Sequence, residues 1–153
     1  MTDGGSSIPA VRALLRVLAT GRDVAELGSA FGEGAAAMAE TARSVVTVEL
    51  DPGRAAAARE RLAAFPNVEV VEGDWRSLQG EFGLVFADGG DYDWERIFGL
   101  VAPSGILVKD DLTPGRPIEG DDVREFLLRD PRLVSAEILV DSRMAAIVAV
   151  RRS

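Results

Sequence analysis

Apolar and polar positions fall along this chain in blocks of two kinds. In 8–19, Val11, Leu14, Leu15 and Leu18 recur at helical spacing, and the pattern stops at Gly21. Residues 23–28 form a short apolar run that predicts a strand, and the alanine-rich stretch 32–41 predicts a helix. The β-branched run 45–50 predicts a second strand. Asp51-Pro52 then opens a helix reaching residue 65, with Asp as its cap and Pro at its first position. Pro66-Asn67 breaks that helix, 68–72 reads as a third strand, and Gly73-Asp74 turns the chain. Residues 82–87 predict a fourth strand ending in Asp88, and 94–101 a helix that stops before Pro103. Ser104-Gly105 turns into a fifth strand at 106–109, followed by Asp110-Asp111.

The last third changes character. A Pro- and Gly-containing loop at 113–120 leads to a short helix at 121–128 with acids in its first turn, where the helix dipole favours them. Two strands, 133–140 and 145–151, are separated only by Asp141-Ser142-Arg143-Met144, too short for anything but an antiparallel hairpin. Alternating strands and helices predict an α/β fold with a mostly parallel sheet that ends in a hairpin. No repeat or linker interrupts the pattern, so residues 1–153 read as one domain.

Composition removes several kinds of chemistry. The chain has no cysteine and no histidine, which excludes disulfides, thiol nucleophiles and the Ser-His-Asp triad; any metal must be a hard ion held by oxygen. With 17 basic and 25 acidic residues the net charge is −8, and the arginines are scattered, which argues against a nucleic-acid partner. No apolar run approaches the roughly 20 residues of a membrane span. The small polar residues 1–7 lack the features of a signal peptide, so the expected location is the cytoplasm, with no membrane partner.

The strongest chemical signal is Glu26-Leu27-Gly28-Ser29-Ala30-Phe31-Gly32-Glu33-Gly34, a glycine loop between the first strand and its helix. Its spacing is neither the dinucleotide fingerprint nor a P-loop, and it has no basic residue to meet a phosphate. An acidic, glycine-lined turn suits a cofactor that carries adenosine and a positive charge but no phosphate, which is S-adenosylmethionine. Glu49 ends the second strand 21 residues after Gly28, where a carboxylate can accept hydrogen bonds from both ribose hydroxyls. Each residue also has a plainer use: the glycines in a tight turn, Trp75 in packing, Asp110-Asp111 in a turn or cap.

The order of these features over nearly the whole chain resembles the class I S-adenosylmethionine-dependent methyltransferases. Residues 26–32, 46–52 and 100–111 look like the small-molecule O-methyltransferases of the catechol and caffeoyl-CoA type. The resemblance implies a Rossmann-like seven-stranded sheet of order 3-2-1-4-5-7-6, with strand seven antiparallel and helices on both faces. It implies a cofactor site made of Glu26, Gly28, Ser29, Ala30, Phe31, Gly32, Gly34, Glu49, Leu50, Gly73, Asp74, Trp75 and Asp88. Within it, Ser29, Ala30 and Phe31 line the methionine part and Asp74 meets the adenine amine. Asp88, Asp110 and Asp111 correspond to ligands for Mg²⁺, Ca²⁺ or Mn²⁺, an ion that would lower the pKa of an acceptor hydroxyl.

The chain departs from that pattern where the acceptor is activated. The family's base, a Lys three residues after the strand-four Asp, is Asp91 here, and its Asn after the strand-five Asp is Asp111. Asp88, Lys109 and Tyr92 are the remaining catalytic candidates. Only one helix precedes the first strand, leaving a small-molecule acceptor pocket either open or closed by a second copy of the chain as a homodimer. Methyl transfer to nitrogen or to a protein side chain, and a non-catalytic module of the same fold, remain alternatives.

Overall fold

The computed structural model describes residues 7–88 and 92–153. Seven strands carry the apolar runs: β1 (Asp23–Leu27), β2 (Ser44–Glu49), β3 (Val68–Glu72), β4 (Phe82–Ala87), β5 (Val101–Leu112), β6 (Leu133–Leu139) and β7 (Ala145–Arg151). They form one sheet in the order β3-β2-β1-β4-β5-β7-β6, parallel except that β7 runs antiparallel to both β5 and β6. The expected Rossmann-like topology is therefore present. β1 lies between β2 and β4, so the sheet order reverses at its carboxyl end and opens a crevice there.

Strand residues alternate between two buried layers because successive side chains point to opposite faces. Val24, Val45, Leu84, Phe86, Ile106 and Val108 pack under α1 (Pro9–Leu18), α2 (Glu33–Ala39) and α3 (Pro52–Leu62), through Val11, Leu15, Ala35, Met38, Ala58 and Leu62. Ala25, Leu27, Val85, Ala87, Leu107 and Ile147 pack under α4 (Trp94–Leu100) and α5 (Asp122–Arg129), through Ile97, Phe98 and Leu127. The helix starts are set locally: Asp51 accepts from Arg54 N at 2.8 Å, Asp93 from Arg96 N at 3.1 Å, and Asp121 from Arg124 N at 3.1 Å. Arg124 is buried, and it pairs with Asp121 (2.7 Å) and Glu137 (2.5 Å) while donating to Thr113 O (2.7 Å). That arginine ties the start of loop 113–120 to α5 and β6.

β5 is longer than the pattern predicts, because it contains two irregularities that periodicity cannot reveal. Val101 pairs with Phe82 and Ile106 with Leu84, so residues 102–105 loop out opposite Gly83. This is how Pro103 and the positive-φ Ser104 (φ 62°) fit inside a strand. Gly105 closes the excursion; a Cβ there would lie 2.7 Å from Ala102 O and 3.0 Å from Phe82 O. At the other end Asp110 and Asp111 together face the single residue Ala146, a bulge in which Asp111 takes φ 61°.

Gly105→Ala should therefore destabilise the chain by about 1–3 kcal/mol, since the obstructing atoms are backbone. Gly99→Ala, on the exposed side of α4 with nothing within 4 Å, should instead stabilise by about 0.5–1 kcal/mol. Urea unfolding of the two variants checks both signs.

Candidate functional site at the strand ends

The glycine loop leaves β1 with its backbone already committed to β2. Gly28 N and Ser29 N both donate to Val48 O, at 2.9 and 3.1 Å. Gly28 (φ 105°), Ala30 (φ 46°) and Gly32 (φ 86°) all turn into the left-handed region, which is strained for Ala30. The strain is held by Glu49: Ala30 N donates to Glu49 Oε2 at 2.9 Å, and Asp51 N donates to Glu49 Oε1 at 3.1 Å. Gly73 N, after β3, donates to the Glu49 carbonyl at 2.9 Å. One residue thus gathers the turns that follow β1, β2 and β3. On either side of this clasp in the chain, Phe31 and Leu50 leave their side chains in water, 37% and 71% exposed.

Glu26 lies lower, fully buried beneath the start of α2. Thr47 Oγ1 donates to Glu26 Oε1 at 2.6 Å, and Ser29 Oγ hydrogen-bonds Thr47 Oγ1 at 2.5 Å, a short chain from the loop into the sheet. Burial, with the charges of Asp88, Asp110 and Glu49 adding to it, pushes the Glu26 carboxyl well above the ordinary range. Gly34 packs directly above Glu26: a Cβ there would lie 2.5 Å from Glu26 Oε2, so a larger residue needs the carboxyl end to shift. Thr47 was not among the expected site residues. It sits in a β-branched run, and only the register that sets it opposite Glu26 reveals its use.

The other expected cofactor residues take plainer positions. Asp74 is exposed and caps a 3-10 turn at Trp75–Ser77, accepting from Arg76 N at 2.9 Å. Trp75 is half-buried against the core cluster under α4 and α5, with the Arg76 guanidinium 4.9 Å above its ring.

Beside the glycine loop, Asp88 N donates to Leu27 O at 3.2 Å, which places the end of β4 next to the end of β1. Asp88 and Asp110 face each other at the ends of β4 and β5. Burial and the charge of Asp110 push Asp88 up to about 8, and burial likewise raises Asp110. Lys109 is buried rather than solvated: its Nζ donates to Asp110 O at 2.6 Å and lies 5.2 Å from the Tyr92 ring. Tyr92 stacks on Trp94 (4.8 Å) and Trp94 on Phe126 (5.9 Å), an aromatic row ending at the lysine. Asp111 is exposed on the far side of its bulge, and Asp91 lies outside the described residues.

Among the described residues no three Asp, Glu, His or Cys side chains gather as a metal-binding group. The donor set is narrower than the sequence suggests: two carboxylates, Asp88 and Asp110, with Asp110 Oδ1 buried, lacking a hydrogen-bond partner among the described residues, and 3.9 Å from Lys109 Nζ. Two hard oxygen donors are the ligand type a water-retaining divalent cation takes, but the Lys109 ammonium competes for one of them. No helix among the described residues is long and apolar enough to cross a membrane.

Because Glu26 binds its proton more tightly when folded, its contribution to stability is full below the unfolded glutamate value and is lost as pH rises through the folded one. Thermal unfolding should show wild-type stability falling with rising pH above the ordinary glutamate value of 4.5, by at most about 1.4 kcal/mol per pH unit from this group. Glu26→Gln should flatten that slope.

No family model matches the chain, and no curated protein matches it. Solved structures do. A methyltransferase from Geobacter sulfurreducens superposes with TM-score 0.78 at 19% identity, over 95% of this chain and 80% of that one. An O-methyltransferase from Bacillus cereus, in complex with SAH, gives 0.75 at 19% identity over 97% and 83%. A tRNA (m1A58) methyltransferase from Aquifex aeolicus gives 0.75 at 16% identity over 100% and 72%. The order of the strands, the antiparallel β7 and these neighbours agree: the chain has the class I methyltransferase fold.

Proposed function

We propose that this chain transfers the methyl group of S-adenosylmethionine to an oxygen of a small acceptor molecule. The observation that carries the reading is the Glu49 clasp. A buried carboxylate holds the glycine loop through Ala30 N–H and keeps lone pairs for a ribose, and the loop itself, residues 28–34, carries no basic residue for a phosphate. Leu50, exposed directly after Glu49, offers apolar surface to the adenosine. The structure of the Bacillus cereus neighbour with SAH supports the donor class.

The reaction is an in-line displacement: the methyl–sulfur bond breaks as the acceptor oxygen–methyl bond forms, and the acceptor proton leaves to a base. Asp88 suits that proton, since a carboxyl raised to about 8 both accepts near neutral pH and stands beside the cofactor loop. Lys109, fixed by Asp110 O and the Tyr92 face, supplies the positive charge that steadies a developing phenolate-type oxygen. The row Tyr92–Trp94–Phe126 gives a planar acceptor an aromatic wall. A divalent cation would be held by Asp88 and Asp110, and when bound it would act as a Lewis acid on the acceptor hydroxyl. A net charge of −8 supports a small acceptor over a nucleic acid.

Calorimetry with S-adenosylhomocysteine tests the donor. Wild type should bind, and Glu49→Gln should bind about 10–100-fold more weakly, the weight of hydrogen bonds to a charged acceptor. Absence of wild-type binding at millimolar ligand would sink the proposal. For the cation, Mn²⁺ titration followed by electron paramagnetic resonance should show binding that Asp110→Asn abolishes while S-adenosylhomocysteine affinity is kept; no Mn²⁺ binding to wild type removes the metal from the account.

A further inference from the structure

The described chain leaves seven large apolar side chains in water, and they divide by place: Phe31 and Leu50 in the turns after β1 and β2, Val17 on α1, and Val134, Ile138, Leu139 and Val150 on the β6–β7 hairpin. The hairpin group is ordered. Val134, Ala136 and Ile138 are all exposed, and period two puts them on one face of β6. Their neighbours across the ladder, Val150 and Val148, extend the same face to β7. This is the face that α1, α2 and α3 cover over the central strands, and past β5 no described helix covers it.

β6 is also the open edge of the sheet. Arg152 N donates to Arg132 O (2.8 Å) and Val140 N to Met144 O (3.0 Å), which turns the backbone groups of the even-numbered residues toward β7. Those of Ser135, Glu137 and Leu139 therefore point outward, because the groups alternate along an antiparallel strand. The usual protections of an edge are missing: β6 has no proline, no lysine and no bulge.

We infer that this edge is where a second copy of the chain docks, β6 against β6 antiparallel about a two-fold axis at Ala136. That register sets Ser135 against the partner's Glu137, two outward-pointing residues that exchange both backbone hydrogen bonds. Leu139 N–H meets the carbonyl of the partner's Leu133, whose own N–H is already used by Asp130 O at 3.1 Å. On the uncovered face Val134 meets the partner's Ile138 and Ala136 meets the partner's Ala136, so the exposed apolar row is self-complementary. Glu137, the one charge in β6, faces a neutral side chain. An axis at Glu137 opposes two carboxylates, and an axis at Ser135 sets Leu139 against Pro131, which has no N–H. A self-complementary edge selects a copy of the same chain over an unrelated partner. The docking is independent of the methyl-transfer reading, since the crevice lies at β1 and β4.

Light scattering on eluted full-length protein across a dilution series tests the inference. Wild type should show the mass of two chains at high concentration. Val134→Lys with Ile138→Lys puts ammonium groups opposite one another and should show the mass of one chain, with unchanged far-ultraviolet circular dichroism because both sites are exposed. Val134→Glu with Ile138→Lys places opposite charges across the same contacts and should keep the mass of two. In wild type, amide exchange at Ser135 and Glu137 should slow as concentration rises. A wild type that stays single, a double-lysine variant that stays paired, or loss of pairing in both variants would overturn the inference.

Discussion

Three turns of this fold meet on one residue. Glu49 receives Ala30 N–H and Asp51 N–H on its carboxylate and Gly73 N–H on its carbonyl. Without it two buried or half-buried donors lose their acceptor, at about 1–3 kcal/mol each, and the left-handed Ala30 loses the bond that compensates its strain. The crevice at the end of β1 is thus built before any ligand arrives, and the side chain that builds it is itself a carboxylate. This is preorganisation in the plain sense: the loop is ordered by folding, and a ligand is spared that cost.

The neighbouring acids follow a different logic. Glu26, Asp88 and Asp110 crowd the ends of three adjacent strands, and the interior cannot hold all of them ionised. The fold sorts them by depth. Glu26 is buried under Gly34 with Thr47 as its donor and its carboxyl pushed well up; Glu49 takes backbone N–H bonds; Asp88 and Asp110 stand between, with Lys109 beside them. Residues of one chemical type therefore do three jobs according to what solvates each.

Much of this was readable from the amino-acid order. The strands at 23–28, 45–50, 68–72 and 82–87, the cap at Asp51 and the closing hairpin all follow from local pattern, and each agrees with the structure within a residue or two. The place of Glu49 was legible because a lone acid ended an apolar run. Less legible was everything set by pairing between strands. The bulge that buries Asp110 and exposes Asp111 depends on two residues facing Ala146, and the two aspartates look alike in sequence. The same holds for Thr47, whose partner lies 21 residues away, and for the loop-out at 102–105 that extends β5. Burial of Lys109 was hidden by its charge, which reads as surface until the Tyr92 ring and Asp110 carbonyl are seen around it.

The central claim is that the Glu49 clasp is the seat of the methyl donor. A crystal structure with S-adenosylhomocysteine tests it most directly. The account predicts both ribose hydroxyls within hydrogen-bond distance of the Glu49 carboxylate, with the Ala30 N–H bond retained. Ligand bound elsewhere, or a Glu49 side chain pulled away from Ala30 to reach it, would contradict the account.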